Sequence, residues 1–248
     1  MSRTTAFRVL AGIDSLQVRR DPLLRWILAV PLALALAMRL GLPAAVQRLQ
    51  SAVGIPLELW YAPVMGVALL LLVPQLVGMV VGFLLLEQRE DRTLWALRVT
   101  PVPLRVYIAY RLTAPVLLSA LATLVALPLA GFDSLSPAGL LLVTVAAAPL
   151  AGLFALALAA FAANRVQGIA FIKAAGAFGM VPLFALFVSE PVDVLFALVP
   201  TWWLARLYWS LTGAMPGPAW VFALGGTLYA TALLMLLARR LDRRLGSA

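Results

Sequence analysis

Cysteine and histidine are both absent from this 248-residue chain. Their absence excludes disulfides, thiol chemistry, metal sites built on thiolate or imidazole ligands, and every catalytic triad that contains His or Cys. Charge is also scarce, because Asp, Glu, Lys and Arg together supply 12% of the residues, against about a quarter in soluble domains. So few charges cannot cover a water-soluble surface. The composition therefore indicates a membrane protein.

Hydrophobic residues make up 64% of the chain and occur in long blocks. Each block is long enough to cross about 30 Å of hydrocarbon at about 1.5 Å per residue. Little chain remains for an extramembrane domain, so residues 1–248 are predicted to form a single all-α, polytopic membrane domain. Six blocks are predicted as transmembrane helices: Leu24–Leu42, Trp60–Leu86, Val106–Ala130, Pro137–Ala163, Gly168–Val188 and Pro218–Ala238.

The net charge of +9 comes from basic residues that flank the apolar blocks. This placement indicates membrane topology rather than nucleic-acid binding, so the bilayer is an expected partner and nucleic acid is not. All Arg and Lys residues except Arg39, Arg48 and Arg206 fall on one side of the six-span plan. The positive-inside rule assigns that side to the cytoplasm. We therefore expect a multi-pass protein of the inner or plasma membrane with both termini in the cytoplasm.

The N-terminal segment, residues 1–22, carries apolar residues at helical spacing. It is predicted to be an amphipathic helix that lies in the cytoplasmic interface, although a frayed terminus is the alternative. Asp21 and Pro22 are typical of a helix N-cap followed by proline at the first helical position, so the first span is predicted to start there as a new helix.

The connection between the second and third spans, residues 87–103, changes character along its length. Its first half is dense in charge and includes Glu87 and Glu90, whereas Leu94, Trp95 and Leu97 form an apolar ridge. A short helix with such a ridge is typical of a docking element for a soluble partner. Anchoring of Trp95 in the membrane interface explains the residues equally well.

The connection after the fifth span, residues 190–217, is rich in aromatic residues. It is too short and too interrupted by proline for two further spans. A re-entrant or interfacial helical pair, broken at Pro200, is predicted instead. Its aromatic residues, among them Trp202, suit the outer headgroup zone.

Within the spans the chemistry is sparse, and no catalytic or metal-binding residue is assigned. Arg111 and Lys173 lie near the cytoplasmic ends and are predicted to reach the headgroups. No predicted span carries a carboxylate in mid-membrane, so an ion-coupled carrier would lack the buried ionisable pair that it needs. The candidates for a substrate pathway, for which ordinary helix packing is the simpler interpretation, are Gln75, Met79, Phe83, Thr113, Ser119, Thr123, Thr144 and Phe178.

Three short motifs resemble those of ABC-2 type (ABCG-like, type V) exporter permeases. Residues 87–101, EQREDRTLWALRVTP, are similar to the E-R-E-x-x-T-L-x-x-L-x-x-T-P signature that follows the second span of that family. Arg20, Asp21 and Pro22 match the R-D-P that ends its interfacial helix, and Pro200 and Arg206 match an element before its last span. Trp95 departs from the pattern, because it is bulkier than the small residue expected there.

The resemblance implies the permease subunit of an ATP-driven exporter of amphiphilic small molecules such as drugs and antibiotics. Two such subunits, identical or paralogous, would pair around a central pathway and sit on two separate ABC ATPase subunits. No G-x-x-x-x-G-K-[ST] sequence occurs in the chain, so ATP and Mg²⁺ are expected on those partners and no cofactor is expected on this chain.

The resemblance also implies roles for particular residues. The ATPase-coupling residues would be Arg20, Asp21, Glu87, Glu90, Thr93, Leu94, Trp95 and Leu97. The extracellular gate, within residues 190–217, would include Pro200, Trp202 and Arg206. An ion-coupled secondary multidrug carrier that acts alone is the alternative function. A membrane-embedded lipid-modifying enzyme is a third, whose acidic cluster would be Glu87, Glu90 and Asp91.

Overall fold

The apolar blocks fold into helices in the computed structural model, which describes residues 3–20, 22–54, 56–90, 104–131, 135–188 and 192–246. Regular structure in these ranges is helical throughout, which confirms the all-α class. The elements are α1 (Arg3–Arg20), α2 (Pro22–Leu40), α3 (Leu42–Val53), α4 (Glu58–Glu90), α5 (Leu104–Leu129), α6 (Pro137–Phe161), α7 (Arg165–Met180), 3₁₀ helices at Val181–Phe187 and Val192–Leu198, α8 (Pro200–Thr212) and α9 (Ala219–Gly246).

Helix α4 is the centre of the bundle. It is apolar on every face and packs against α2, α5, α6, α7 and α8, as expected for a helix without a solvent side. Gly78 and Gly82, one turn apart, face α6. A Cβ on Gly78 would lie 2.5 Å from the carbonyl oxygen of Ala151, and one on Gly82 would lie 3.1 Å from that of Ala155. The two backbones therefore touch, as small residues at this spacing allow in membrane helices.

Four helices in the described part of the chain are long and apolar enough to cross a membrane. They are Trp60–Gln88, Pro137–Phe161, Arg165–Phe187 and Ala219–Arg240. A bent pair, Ala29–Leu40 and Leu42–Ala52, meets at 50° and makes a fifth span if the two helices cross together. The apolar segment Thr113–Leu129 of α5 is shorter than these spans. A polytopic helical membrane protein is thus confirmed, and the six-span count stays a prediction.

Several helix ends differ from the sequence predictions. The first predicted span ends at Leu40 instead of Leu42, and the chain then bends at Gly41 and enters α3, which was not predicted. Helix α3 begins with Pro43 in its first turn, where proline is favoured, and stops at Gly54 with φ of 74°. The fifth span changes from α to 3₁₀ geometry at Val181, because Pro182 has no N–H to continue the α-helical ladder.

Residues 192–212 form the predicted helical pair, and Pro200 is the first residue of α8. Its aromatic residues do not face outward as a lipid-facing belt would: Trp202, Tyr208 and Trp209 are buried in the main core. Their predicted position at the depth of the headgroups stays a prediction. The indole N–H of Trp209 donates to the carbonyl oxygen of Pro63 at 3.1 Å, which satisfies its polar atom inside the bundle. Helix α8 is therefore packed within the bundle and does not lie on its surface.

Candidate functional site at the two ends of the bundle

Residues that are predicted to share one side of the membrane lie at the same end of the bundle. At the end that we call the inner end, Asp14 pairs with Arg111 and Glu87 pairs with Arg165. At the other, the outer end, Tyr61 donates to the carbonyl oxygen of Met38 at 2.9 Å, and Trp209 donates to Pro63. Helix α4 joins the two ends, since Pro63 and Glu87 are about 36 Å apart along its axis at about 1.5 Å per residue.

The inner end contains a closely built ion pair between α1 and α5. Arg111 Nη1 donates to Asp14 Oδ2 at 2.6 Å, and Nη2 donates to Oδ1 at 3.0 Å. The Tyr110 hydroxyl adds a third bond to Oδ2 at 2.8 Å. Arg111 is 3% exposed and Asp14 is 14% exposed. The prediction that Arg111 reaches lipid headgroups is therefore wrong, because its guanidinium finds a carboxylate inside the protein. The sequence analysis missed Asp14.

The predicted ATPase-coupling residues lie around this end or outside the described residues. Glu87 Oε1 is 2.9 Å from Arg165 Nη2, which ties the end of α4 to the start of α7, and both side chains are partly exposed, at 27% and 52%. Arg20 and Glu90 are exposed at the last residues of α1 and α4. The others, outside the described residues, are Asp21, Thr93, Leu94, Trp95 and Leu97.

The outer end contains a second buried ion pair with looser geometry. Arg206 Nη1 lies 3.5 Å from Asp193 Oδ2, and the two side chains are 6% and 0% exposed. Neither carboxylate oxygen of Asp193 accepts a hydrogen bond from a described residue. The Arg206 guanidinium lies 5.1 Å from the ring centre of Phe222 and 5.9 Å from that of Trp202, distances at which a cation is attracted to the ring. Asp193 lies in the connection 190–217, which is predicted to lie on the outer side of the membrane, and its contact with Arg206 was not predicted.

The three predicted gate residues come together around this pair. Pro200 starts α8, and Trp202 and Arg206 lie one turn apart on the same face of it. Trp202 meets Phe222 of α9 edge to face, with ring centres 5.9 Å apart. The Thr201 hydroxyl donates to the carbonyl oxygen of Gly179 at 2.7 Å and so holds α8 to the end of α7. The outer helical pair is thus fixed to two neighbouring helices.

The candidate pathway residues do not converge. Gln75 and Phe83 lie on one face of α4 and meet α7 at glycines: the Gln75 amide contacts Gly176, and a Cβ on Gly168 would lie 2.9 Å from the Phe83 ring. Met79, half-buried, lies between them on the same face. The remaining candidates are elsewhere: Thr113 and Phe178 are exposed, while Ser119, Thr123 and Thr144 are buried with hydroxyls that bond no described residue.

The two buried ion pairs correct one sequence expectation. The chain was expected to lack a buried ionisable pair, yet Asp193 is fully buried beside Arg206, and Arg111 is buried beside a partly buried Asp14. Neither carboxylate lies in a helix that was predicted to span the membrane: Asp14 belongs to α1 and Asp193 to a 3₁₀ helix. Each carboxylate faces the guanidinium of an arginine.

The fold and the two ends define a multi-pass helical membrane protein with an additional helix docked at one end and a helical pair buried at the other. The family described as "Fluoroquinolones export permease protein Rv2686c-like" matches residues 14–238, and the chain belongs to this family. Its relatives include the Fluoroquinolones export permease proteins MT2760 and Rv2686c of Mycobacterium tuberculosis, strains CDC 1551 / Oshkosh and ATCC 25618 / H37Rv. Each is 30% identical over 243 residues, which cover 94% of this chain and 94% of the relative.

No solved structure matches the chain. The family membership confirms the prediction of a drug-exporter permease, which is a transport protein. The family match spans both ends of the bundle, because it begins at Asp14 and includes Arg206.

Proposed function

We propose that this chain is the membrane subunit of an ATP-driven ABC exporter that moves amphiphilic aromatic drugs of the fluoroquinolone type out of the cell. The observation that carries the proposal is the family match over residues 14–238. The names of the relatives supply the substrate class. Since the chain has no phosphate-binding loop sequence, ATP and Mg²⁺ bind on separate ATPase subunits.

The proposed topology has six spans, with both termini in the cytoplasm of the inner or plasma membrane. The spans are α2 together with α3, α4, α5, α6, α7 with its 3₁₀ extension, and α9. Helix α5 has 26 residues and is about 39 Å long, enough for the hydrocarbon core. Basic residues at the ends of α1 and α9, such as Arg20 and Arg239, favour the cytoplasmic assignment of the inner end.

The topology can be tested with single cysteines, because the natural chain has none. Ser15 of α1 and Ser51 of α3 are both exposed and belong to opposite ends. A membrane-impermeant maleimide should label Ser51→Cys in intact cells. It should label Ser15→Cys only after the cells have been permeabilised. Labelling of both positions in intact cells would contradict a cytoplasmic N terminus.

In the proposed assembly, two permease subunits, identical or paralogous, face each other and each rests on an ABC ATPase subunit. The inner end receives the motor through the predicted coupling residues, including Glu87 and Trp95. The outer helical pair, with Pro200, Trp202 and Arg206, opens to release the drug. Gln75, Met79 and Phe83, which line the seam between α4 and α7, are the pathway candidates that the geometry supports best, because they share one face.

The direct test is reconstitution of the chain with its ATPase subunits in proteoliposomes. We expect ATP-dependent accumulation of a fluorescent fluoroquinolone in inside-out vesicles. Trp95→Ala should leave ATPase binding or hydrolysis intact and reduce drug transport. Drug transport by the permease alone, driven by a proton gradient without ATP, would overturn the proposal.

An ion-coupled carrier is the second candidate, and Asp193 is the observation that favours it. A fully buried carboxylate without hydrogen bonds is the kind of group that ion-coupled carriers use. The same vesicles separate the two functions. Under the carrier mechanism, an imposed proton gradient drives uptake without ATPase subunits, and Asp193→Asn removes that uptake.

A further inference from the structure

We infer that Asp14, Arg111 and Tyr110 form a rigid link through which movement of α1 at the inner end is passed to α5. The three are positioning residues for coupling, and the inference rests on the proposed function. Asp14 is the acceptor of the link, and Arg111 and Tyr110 are its donors. The feature that carries it is a largely buried, three-bond contact between two helices, whose bonded residues are 96 and 97 positions apart in the chain.

Helix α1 bonds to the bundle through Asp14. Asp14 is its only acidic residue, and the apolar side chains Ile13 and Leu16 beside it are exposed. In the described part of the chain, α1 contacts α2 and α5. Helix α2 follows α1 directly in the chain, so its contact is a consequence of connectivity. The contact with α5, in contrast, joins α1 to a helix that is distant in the chain, and the ion pair is part of it.

The geometry of the pair makes it stiff. The guanidinium and the carboxylate meet in parallel through two bonds, and such a forked contact restricts rotation as well as distance. The Tyr110 hydroxyl fixes the same Oδ2 from a second direction. Arg111 is almost fully buried and Asp14 is 14% exposed, so the contact is largely shielded from water. Helix α1 must therefore carry Arg111 with it or break three hydrogen bonds.

Helix α5 is well placed to receive this movement. Arg111 lies seven residues after Leu104, the first residue of α5, or about 10 Å along the helix. Residues 87–103, which are predicted to dock on the ATPase, lead directly into α5. Helix α1 and residues 87–103, the two segments with predicted ATPase-coupling residues, thus both reach the first turns of α5. Helix α5 packs along α4 and α6, so a rigid tilt of α5 reaches the centre of the bundle.

The alternative is that the pair only anchors α1. An anchor and a link make different predictions for the number of drug molecules moved per ATP hydrolysed. Loss of an anchor lowers the amount of assembled transporter, but each assembled transporter works normally. Loss of a link leaves hydrolysis running while transport falls.

The experiment compares wild type with Asp14→Asn, the charge exchange Asp14→Arg/Arg111→Asp, and Ser15→Ala in the complete transporter in proteoliposomes. The control residue Ser15 is exposed on α1, and its hydroxyl donates to the carbonyl oxygen of Gly12 in the same helix. We expect Asp14→Asn to lower drug transport per ATP by about tenfold or more, because it removes the negative charge that the buried Arg111 guanidinium faces and weakens its two bonds to α1. The charge exchange should recover much of the ratio, and Ser15→Ala should match wild type.

A wild-type ratio in assembled Asp14→Asn overturns the link, whether or not its yield is reduced. A charge exchange that assembles with a ratio as low as that of Asp14→Asn also overturns it. If wild type shows no ATP-dependent transport, the proposed function has failed instead. Trypsin cleavage at Arg19 then tests the link without ATP: a rate in Asp14→Asn that is no faster than in wild type shows that the pair does not hold α1, and a faster rate shows that it does.

Discussion

The ion pairs at the inner and outer ends are built from the same two residue types, are both buried, and differ in nearly everything else. Asp14 accepts three hydrogen bonds of 3.0 Å or less. Asp193 accepts none from the described residues and lies 3.5 Å from its arginine. Burial of opposite charges therefore does not establish a strong contact, because hydrogen bonds are needed to offset the loss of water.

The outer pair is held by the packing around it. The guanidinium of Arg206 is enclosed by the rings of Trp202 and Phe222, while the carboxylate of Asp193 is fully out of water. A carboxylate without hydrogen bonds gains free energy when water reaches it. Access of water would therefore stabilise the Asp193 carboxylate, whereas three hydrogen bonds hold Asp14 in place.

Removal of the outer cation should have the largest effect. Arg206→Met leaves Asp193 as an uncompensated buried charge, and loss of one partner of such a pair costs about 3–5 kcal/mol of unfolding free energy. The measurement is unfolding in mixed micelles by titration with SDS, followed by tryptophan fluorescence. Arg48→Met is the matched control, because Arg48 is exposed on α3 at the same end. A loss in Arg206→Met no greater than in the control would show that Asp193 is not in contact with Arg206.

Double-mutant cycles should then rank the two pairs. The inner cycle combines Asp14→Leu with Arg111→Met, and the outer cycle combines Asp193→Leu with Arg206→Met. Hydrogen bonds to charged groups contribute about 1.5–3 kcal/mol each. The interaction energy between Asp and Arg should therefore be larger at the inner pair than at the outer pair by at least about 1.5 kcal/mol. An equal or larger value at the outer pair would mean that Coulomb attraction at low dielectric outweighs hydrogen bonding there.

The sequence predicts where the long helices lie, but it does not predict which charged residues pair. The span positions follow from apolar run length, because the bilayer thickness and the helical rise fix how many residues are needed. The break at Pro200 follows from proline chemistry. The partner of Asp14, in contrast, is 97 positions away, and a single sequence carries no signal for such a distance. One local signal was available, since an isolated acidic residue in a basic segment invites a search for a cation.

Helix α3 is a second case in which local chemistry was sufficient but was not used. Glycines flank it at 41 and 54, and Leu42, Val46 and Leu49 recur at helical spacing. The burial of Trp202 and Trp209 could not be predicted in the same way. Their aromatic character suits a lipid-facing belt and the core equally well, and tertiary packing against α4 and α9 decides between the two.

The third hydrogen bond of the inner pair can be removed alone. Tyr110→Phe keeps the ring and deletes the donor to Asp14 Oδ2, which still accepts from Arg111. We expect a loss of about 1–2 kcal/mol in unfolding free energy, as for one hydrogen bond to a charged group. Tyr229→Phe is the control, since its hydroxyl donates to a backbone carbonyl at the outer end. If Tyr110→Phe costs no more than the control, the third bond adds nothing to the link.

The smallest effect is expected at the other inner-end pair. Glu87 and Arg165 form a single contact of 2.9 Å between partly exposed side chains, so Arg165→Met should change unfolding free energy by less than about 1 kcal/mol. The change should shrink further in 1 M salt, where the screening length is about 3 Å, whereas the cost of Asp14→Asn should persist because Arg111 is shielded from ions. If 1 M salt reduces the effects of Arg165→Met and Asp14→Asn alike, Arg111 is accessible to water. The Asp14–Arg111 link would then not differ from the exposed Glu87–Arg165 pair.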